Sequence, residues 1–248
     1  MQNWFDTPPG RIMLDWEQQS FDATVADLFG YHALQLGNPA VQGLRANRMP
    51  HRWLALETAL GHSEPQPDLV SDFSALPFSA ASLDLVLLPH TLEQHPRPHD
   101  TLREVERVLV PEGRVVVSGI NPLSLWGLMG YRSRFYQRMG FGRPYLPAAN
   151  EFIHPWRLRD WLRLLGFEVL SCHFGCGHPA MRSERWLQRF EWMDRVGRRW
   201  WPILGAGYFV VAVKRVRGMR LLEPGWKPVN GKAAASVPLA RRSGDHHA

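Results

Sequence analysis

Cysteine and lysine are both scarce in this chain. Two cysteines, Cys172 and Cys176, cannot build a disulfide framework across 248 residues, so a reducing, cytoplasmic setting is expected. Their C-x-x-x-C spacing lacks a second ligand pair, and no metal site is read there despite His173 and His178 nearby. Three of the 29 basic residues are lysine (Lys214, Lys227 and Lys232), so positive charge is carried almost wholly by arginine. No apolar run is long enough to span a bilayer. The uncharged, apolar stretch from Trp200 to Val213 contains two glycines and a proline and is too short. Met1 to Leu14 holds aromatics, Asp6 and a Pro8-Pro9-Gly10 turn, a pattern unlike a signal peptide. The chain lacks G-x-x-x-x-G-K-[ST] and G-x-S-x-G, which argues against a P-loop and a nucleophile elbow. Internal repeats are absent as well.

What is present is a globular composition, 45% hydrophobic and 21% charged, over a length that suits one sizeable α/β core. The net charge of +6 is unevenly placed. Residues 1–181 carry 15 basic against 18 acidic side chains, whereas residues 182–248 carry 14 against 5. A basic region of that kind can meet nucleic acid, anionic lipid or an acidic substrate. A solvated basic face is the plainer reading, because Trp186, Trp192, Trp200 and Trp201 fall at helical spacing that suits a core.

Apolar periodicity gives the elements. Asp15 to Phe29 reads as a helix stopped by Gly30, and Tyr31 to Leu36 as a short strand ending at Gly37. Asn38-Pro39 looks like a helix start running to about Asn47. Strands follow at His51 to Glu57 and Leu69 to Asp72. Leu83 to Leu88 is a near-continuous apolar run, as a buried parallel strand requires. Asp100 is expected to cap a helix to about Val110, and Pro111-Glu112-Gly113 turns the chain into a strand from Arg114 to Gly119. Leu123 to Pro147 reads as an irregular helical insertion. Pro155 to Leu165 is an amphipathic helix closed by Gly166. Phe167 to Phe174 and Gly207 to Arg215 read as strands, with a basic helix around Ser183 to Trp200 between them. The expectation is a doubly wound, mostly parallel seven-stranded α/β sheet, Rossmann-like, with a helical insertion. It forms one domain, 1–215, with a core from 30 to 215 behind an N-terminal helix at 15–29. Residues 216–248 read as a disordered tail.

Ligands of open α/β sheets bind beyond the carboxyl ends of the strands, near the reversal of strand order. Gly37-Asn38-Pro39, Glu57, Asp72-Phe73, His90-Thr91 and Gly119 to Pro122 are the residues so placed. The stretch from Ser71 to Gly119 carries Asp72, Leu76-Pro77-Phe78, Leu83-Asp84-Leu85-Val86, Leu92-Glu93, Arg103-Glu104, Arg107-Val108-Leu109 and Pro111-x-Gly113, with Asn121-Pro122 just beyond. In this order and spacing the block closely resembles class I S-adenosylmethionine-dependent methyltransferases of type 11, a group that includes the ubiquinone and menaquinone C-methyltransferases.

The resemblance implies S-adenosyl-L-methionine as cofactor. It implies that Asp72 bonds the adenine amino group with Phe73 alongside the ring, and that Gly37 opens the cofactor loop. Glu57 lies where such folds place an acid on the ribose hydroxyls. The loop departs from the family's acid-x-Gly-x-Gly-x-Gly, reading Gln35-Leu36-Gly37-Asn38-Pro39-Ala40-Val41, and Pro39 has no N–H to offer a ligand. Methyl transfer needs alignment and sometimes a base, for which His90 is the candidate. Asn121 could orient an acceptor, and His154 is a lid candidate. Leu88-Pro89-His90 stands where amine-methylating relatives have Asn-Pro-Pro-aromatic, favouring oxygen or carbon acceptors. The expected partner is a small apolar molecule. A catalytically inactive binding or scaffold protein and an RNA-directed methyltransferase are the alternatives.

Overall fold

The chain's most apolar strands lie at the middle of its sheet. In the computed structural model, which describes residues 2–58, 66–139, 145–147, 149–177 and 204–216, β4 (Leu83–Pro89) and β5 (Leu109–Ile120) pair in parallel there. Leu85, Val86, Leu87 and Leu88 are all fully buried, because both faces of β4 are covered. Each contributes about 1.5–3 kcal/mol of apolar burial. Around them run β1 (His32–Leu36), β2 (His51–Leu56), β3 (Leu69–Val70), β6 (Phe167–Gly175) and β7 (Gly207–Lys214). The order is β3-β2-β1-β4-β5-β7-β6. Only β7 is antiparallel to its neighbours. Strand order reverses between β1 and β4, the place beyond whose carboxyl ends open α/β sheets put their ligands.

Six helices accompany the sheet among the described residues: α1 (Gln2–Phe5), α2 (Pro8–Val25), α3 (Thr91–Gln94), α4 (Pro98–Val108), α5 (Leu125–Arg138) and α6 (Pro155–Leu164). One face buries Leu102 and Val105 of α4 with Leu158 and Leu162 of α6. The other buries Phe21 and Val25 of α2 against Leu85, Leu87, Val116 and Phe209. A third cluster, formed by Trp4, Phe5, Met13, Ile120, Trp126, Tyr145 and Leu146, includes the last residue of β5.

Two sequence expectations fail here, and they share a cause. The N-terminal helix begins at Pro8 rather than Asp15, with the Thr7 hydroxyl accepting from the Gly10 amide at 3.3 Å and Pro8 in the first turn. It ends at Val25, before Phe29. The expected helix from Asn38 to Asn47 is absent, and the chain there runs in turns. Gln35, only 3% exposed, holds it so: its amide nitrogen donates to the carbonyls of Asn38 (3.1 Å) and Val41 (2.6 Å), while its oxygen accepts from Gly43 N–H (3.0 Å). Gln18 of α2 adds a reciprocal pair with the Gln42 backbone, at 2.9 and 3.0 Å. The longer α2 and the wrapped loop fill the layer that a helix after β1 would have filled.

Smaller differences are local. Helix α4 starts at Pro98, so Asp100 lies in its first turn and Arg97 takes the cap position. Strand β5 begins at Leu109 and bulges through Glu112, whose φ is +64°. The compact unit spans Met1–Val216. The basic helix expected at Ser183 to Trp200 and the tail beyond Val216 lie outside the described residues. No helix among those described is long and apolar enough to cross a membrane.

Candidate functional site

The outer tips of the sheet carry an acid each. Glu57 follows β2 and Asp72 follows β3, and both carboxylates reach solvent. Between them lies His95, from the turn after α3, buried to 4% exposure. Its Nδ1 accepts the Arg97 N–H at 3.1 Å, which leaves the ring proton on Nε2, and Nε2 stands 2.9 Å from Glu57 Oε1. Asp72 Oδ1 stands 3.7 Å from the same nitrogen. This group has the spacing of a metal site. With Nδ1 taken by the Arg97 N–H, however, Nε2 carries the ring proton and offers no lone pair to a cation.

Asp72 Oδ1 also accepts from the Ser74 hydroxyl (2.5 Å) and the Ser74 amide (2.8 Å), which hold its carboxyl below the usual range. Its turn-stabilising role is therefore met by one oxygen. Oδ2 faces outward, with Arg97 at 3.6 Å. Phe73 turns the other way, 4% exposed, into the core beneath His95. In this structure it packs under the site, whereas the resemblance implied a place beside a ligand ring.

At β1 the chain leaves the sheet through Gly37, whose φ of +76° suits glycine. A Cβ there would stand 3.0 Å from Thr91 Oγ1, and that hydroxyl donates to the Leu36 carbonyl. Next to it, the amide nitrogen of Asn38 is buried and has no hydrogen-bond partner among the described residues. A buried unpaired donor on the loop that opens the crevice suits an anionic or carbonyl ligand group.

The inner tip at β4 is closed. His90, at φ +54°, is fully buried between two buried carboxylates. Glu17 of α2 is 2.8 Å from Nε2, and Glu93 of α3 is 3.0 Å from Nδ1. Burial alone would lower the pKa of His90, but the carboxylates on either side overcome this and lift it to about 10. Burial raises Glu93, opposed by His90 and by the Ile120 amide, which donates to Oε1 at 2.6 Å. As an imidazolium, His90 shares its Nδ1 proton with Glu93 and sets Nε2 against the Glu17 carboxylate as an ion pair, so no lone pair is free to take a proton. This corrects the expectation of a general base: the Glu17 contact, invisible in local sequence, made the residue a buried cation.

Asn121 is likewise committed. Its amide donates to the Gly205 carbonyl at 3.0 Å and its oxygen accepts from Leu123 N–H at 3.1 Å, so it pins the exit of β5. His154 occupies the cap position of α6 with its ring 4.6 Å from that of Trp156, and burial lowers its pKa. Above the inner tips Phe5 lies 5.8 Å from the His90 ring, and Trp4 donates its indole N–H to the Tyr145 carbonyl at 2.9 Å. Glu17, Glu93 and His95 are the residues that sequence reasoning missed. For Glu17 a signal existed: it interrupts the stripe Met13, Phe21, Val25 at i+4 spacing on the buried face of α2.

Comparison with known proteins agrees with this architecture. Residues 53–117 match the family model described as a methyltransferase domain, type 11. Uncharacterized protein YafS of Escherichia coli (strain K12) is 30% identical over 168 residues, 67% of this chain and 65% of that protein. The match thus spans somewhat less than two thirds of that relative's length. Among solved structures, a SAM-dependent methyltransferase from Archaeoglobus fulgidus superimposes with a TM-score of 0.53 at 18% identity, covering 81% of this chain and 94% of its own. An S-adenosylmethionine-dependent methyltransferase from Mesorhizobium loti gives 0.50 at 14% identity, covering 79% and 96%. The [4+2]-cyclase SpnF gives 0.50 at 18%, covering 82% and 81%. At these identities the likeness is one of fold, and a fold can host unrelated chemistry.

Proposed function

We propose, from the premise that this chain carries a class I S-adenosylmethionine-dependent methyltransferase domain of type 11, that it moves a methyl group to a small, apolar acceptor through oxygen or carbon. The observation that carries the reading is the pair of solvent-reaching acids, Glu57 and Asp72, at the outer tips, together with the buried, unpartnered amide nitrogen of Asn38 after β1. This set suits the cofactor: Asp72 Oδ2 for the adenine amino group, Glu57 for the ribose hydroxyls, and Gly37 with Asn38 for the methionine part.

When bound, S-adenosylmethionine supplies a methyl group on an electrophilic sulfonium. The chain's own part is to hold and align, which for an in-line displacement is a large share of catalysis. His95 keeps Glu57 oriented through the proton on Nε2. Gln35 fixes the loop that presents Asn38. Glu17, His90 and Glu93 are committed to one another, so proton removal from an acceptor is not assigned to them. An acceptor that reaches the site as an enolate or phenolate, or as an electron-rich carbon, needs no such base.

The same buried triad favours a second reading, a binding protein that has lost turnover. Transfer of label from methyl-tritiated S-adenosylmethionine into an organic-phase cell extract separates them. Label in organic-soluble product supports the first reading. Cofactor binding with no label in any fraction supports the second, and label confined to RNA overturns both.

A further inference from the structure

We infer that α5 is a surface helix that docks on an anionic lipid bilayer, with the row Leu125, Leu128 and Tyr131 entering the headgroup boundary. The helix is apolar on both sides, unlike an ordinary amphipathic surface helix. Its inner side buries Trp126 and Gly130, with Trp126 fully enclosed beside Ile120 and Trp4. Its outer side should then be polar. Instead Leu125 (48% exposed), Leu128 (67%) and Tyr131 (58%) follow at three-residue spacing, with Leu123 (55%) just before them. Leu125, Leu128, Met129, Tyr131 and Arg132 line an open groove of about 490 Å³. Single exposed leucines need no explanation, but a contiguous row along one helix face does.

Charge selects the occupant. Residues 123–147 contain four arginines and no aspartate, glutamate or lysine. A second protein copy would bring the same positive stretch against itself, whereas an anionic leaflet complements it. Leucine and tyrosine beside arginine, on a helix lying flat, is the composition of an interfacial anchor. Each basic residue near an anionic surface adds attraction that salt screens. The docking itself stands apart from methyl transfer, so it can fail or succeed independently of that reading.

The test is co-sedimentation of the full chain with phosphatidylcholine vesicles, with and without phosphatidylglycerol. The paired variant Leu125→Glu/Leu128→Glu is run beside it, and thermal unfolding confirms that these exposed substitutions leave the fold intact. The expected result is salt-sensitive binding to the anionic vesicles, weakened at least about tenfold in the variant. Equal binding to both vesicle types, undiminished binding by the variant, or no binding at all would overturn the inference. So would a solution dimer that the variant dissolves, since that assigns the face to a second copy.

Discussion

The outer and inner tips of one sheet end in opposite states. At β2 and β3 the carboxylates of Glu57 and Asp72 reach solvent, Glu57 Oε1 beside His95 and Asp72 with Oδ1 on Ser74 and Oδ2 near the exposed Arg97. At β4 and β5 the polar residues are turned inward, and His90, Glu93 and Asn121 meet partners from α2, α3, the end of β5 and the segment just before β7. The contrast separates two tasks that a transferase site combines. On the proposed reading the outer tips hold the cofactor, while the inner tips join α2 and α3 to the sheet through His90. Gly119 shows how tightly the inner end is closed, since a Cβ there would meet Tyr208 Oη at 2.4 Å and Glu93 Oε1 at 2.7 Å.

Breaking the inner end should produce the largest effect. Glu17→Ala strands a buried imidazolium with one carboxylate, a loss of about 3–5 kcal/mol in unfolding free energy measured by urea denaturation. A cost below about 1 kcal/mol would show that α2 is not anchored through His90. Gln35→Glu comes next. A carboxylate cannot donate to the carbonyls of Asn38 and Val41, so the loop should lose about 3 kcal/mol and cofactor affinity should fall with it. Calorimetric unfolding alongside cofactor titration reads both.

The inner end should also respond to alkali. The folded pKa of His90 is raised from 6.5 to about 10, so its stabilisation is complete below the unfolded value. It is then lost as pH climbs through the folded one. Unfolding midpoints should therefore fall between about pH 6.5 and pH 10. His90→Gln, which has no proton to lose, should be less stable at neutral pH and flatter across that window. A parent profile as flat as the variant's would remove the buried cation from the account.

Glu57→Gln should have the smallest effect. One side-chain oxygen remains for the His95 Nε2–H, so the fold is kept, and ribose recognition weakens by about three- to tenfold, as for loss of part of a charged hydrogen bond. Binding titration reads this against the parent.

The sequence showed the middle of this molecule better than its edges. Leu83 to Leu88 and Arg114 to Gly119 were legible because strands buried on both faces must be apolar throughout. The outer acids were placed by strand ends and by the family resemblance together. The wrapped loop at Asn38 was not legible, because Asn-Pro is a good local helix start and only the buried Gln35 overrides it. The role of His90 was missed for a related reason. Its partner Glu17 is 73 positions away in sequence, and a base and a buried cation look alike until that neighbour is known. The helix expected around Ser183 to Trp200, with its arginines and tryptophans, lies outside the described residues.

The contrast rests on the outer tips being a cofactor site, and one titration addresses that directly. S-adenosylhomocysteine is titrated calorimetrically into the parent and into Asp72→Asn. The variant keeps Oδ1 for the two Ser74 contacts and changes only the outward-facing atom. The parent should bind in the micromolar range. The variant should bind about ten- to a hundredfold more weakly with its unfolding midpoint nearly unchanged, as expected for loss of a charge-assisted hydrogen bond. No heat from a folded parent at millimolar ligand would contradict the account, as would equal affinity for parent and variant.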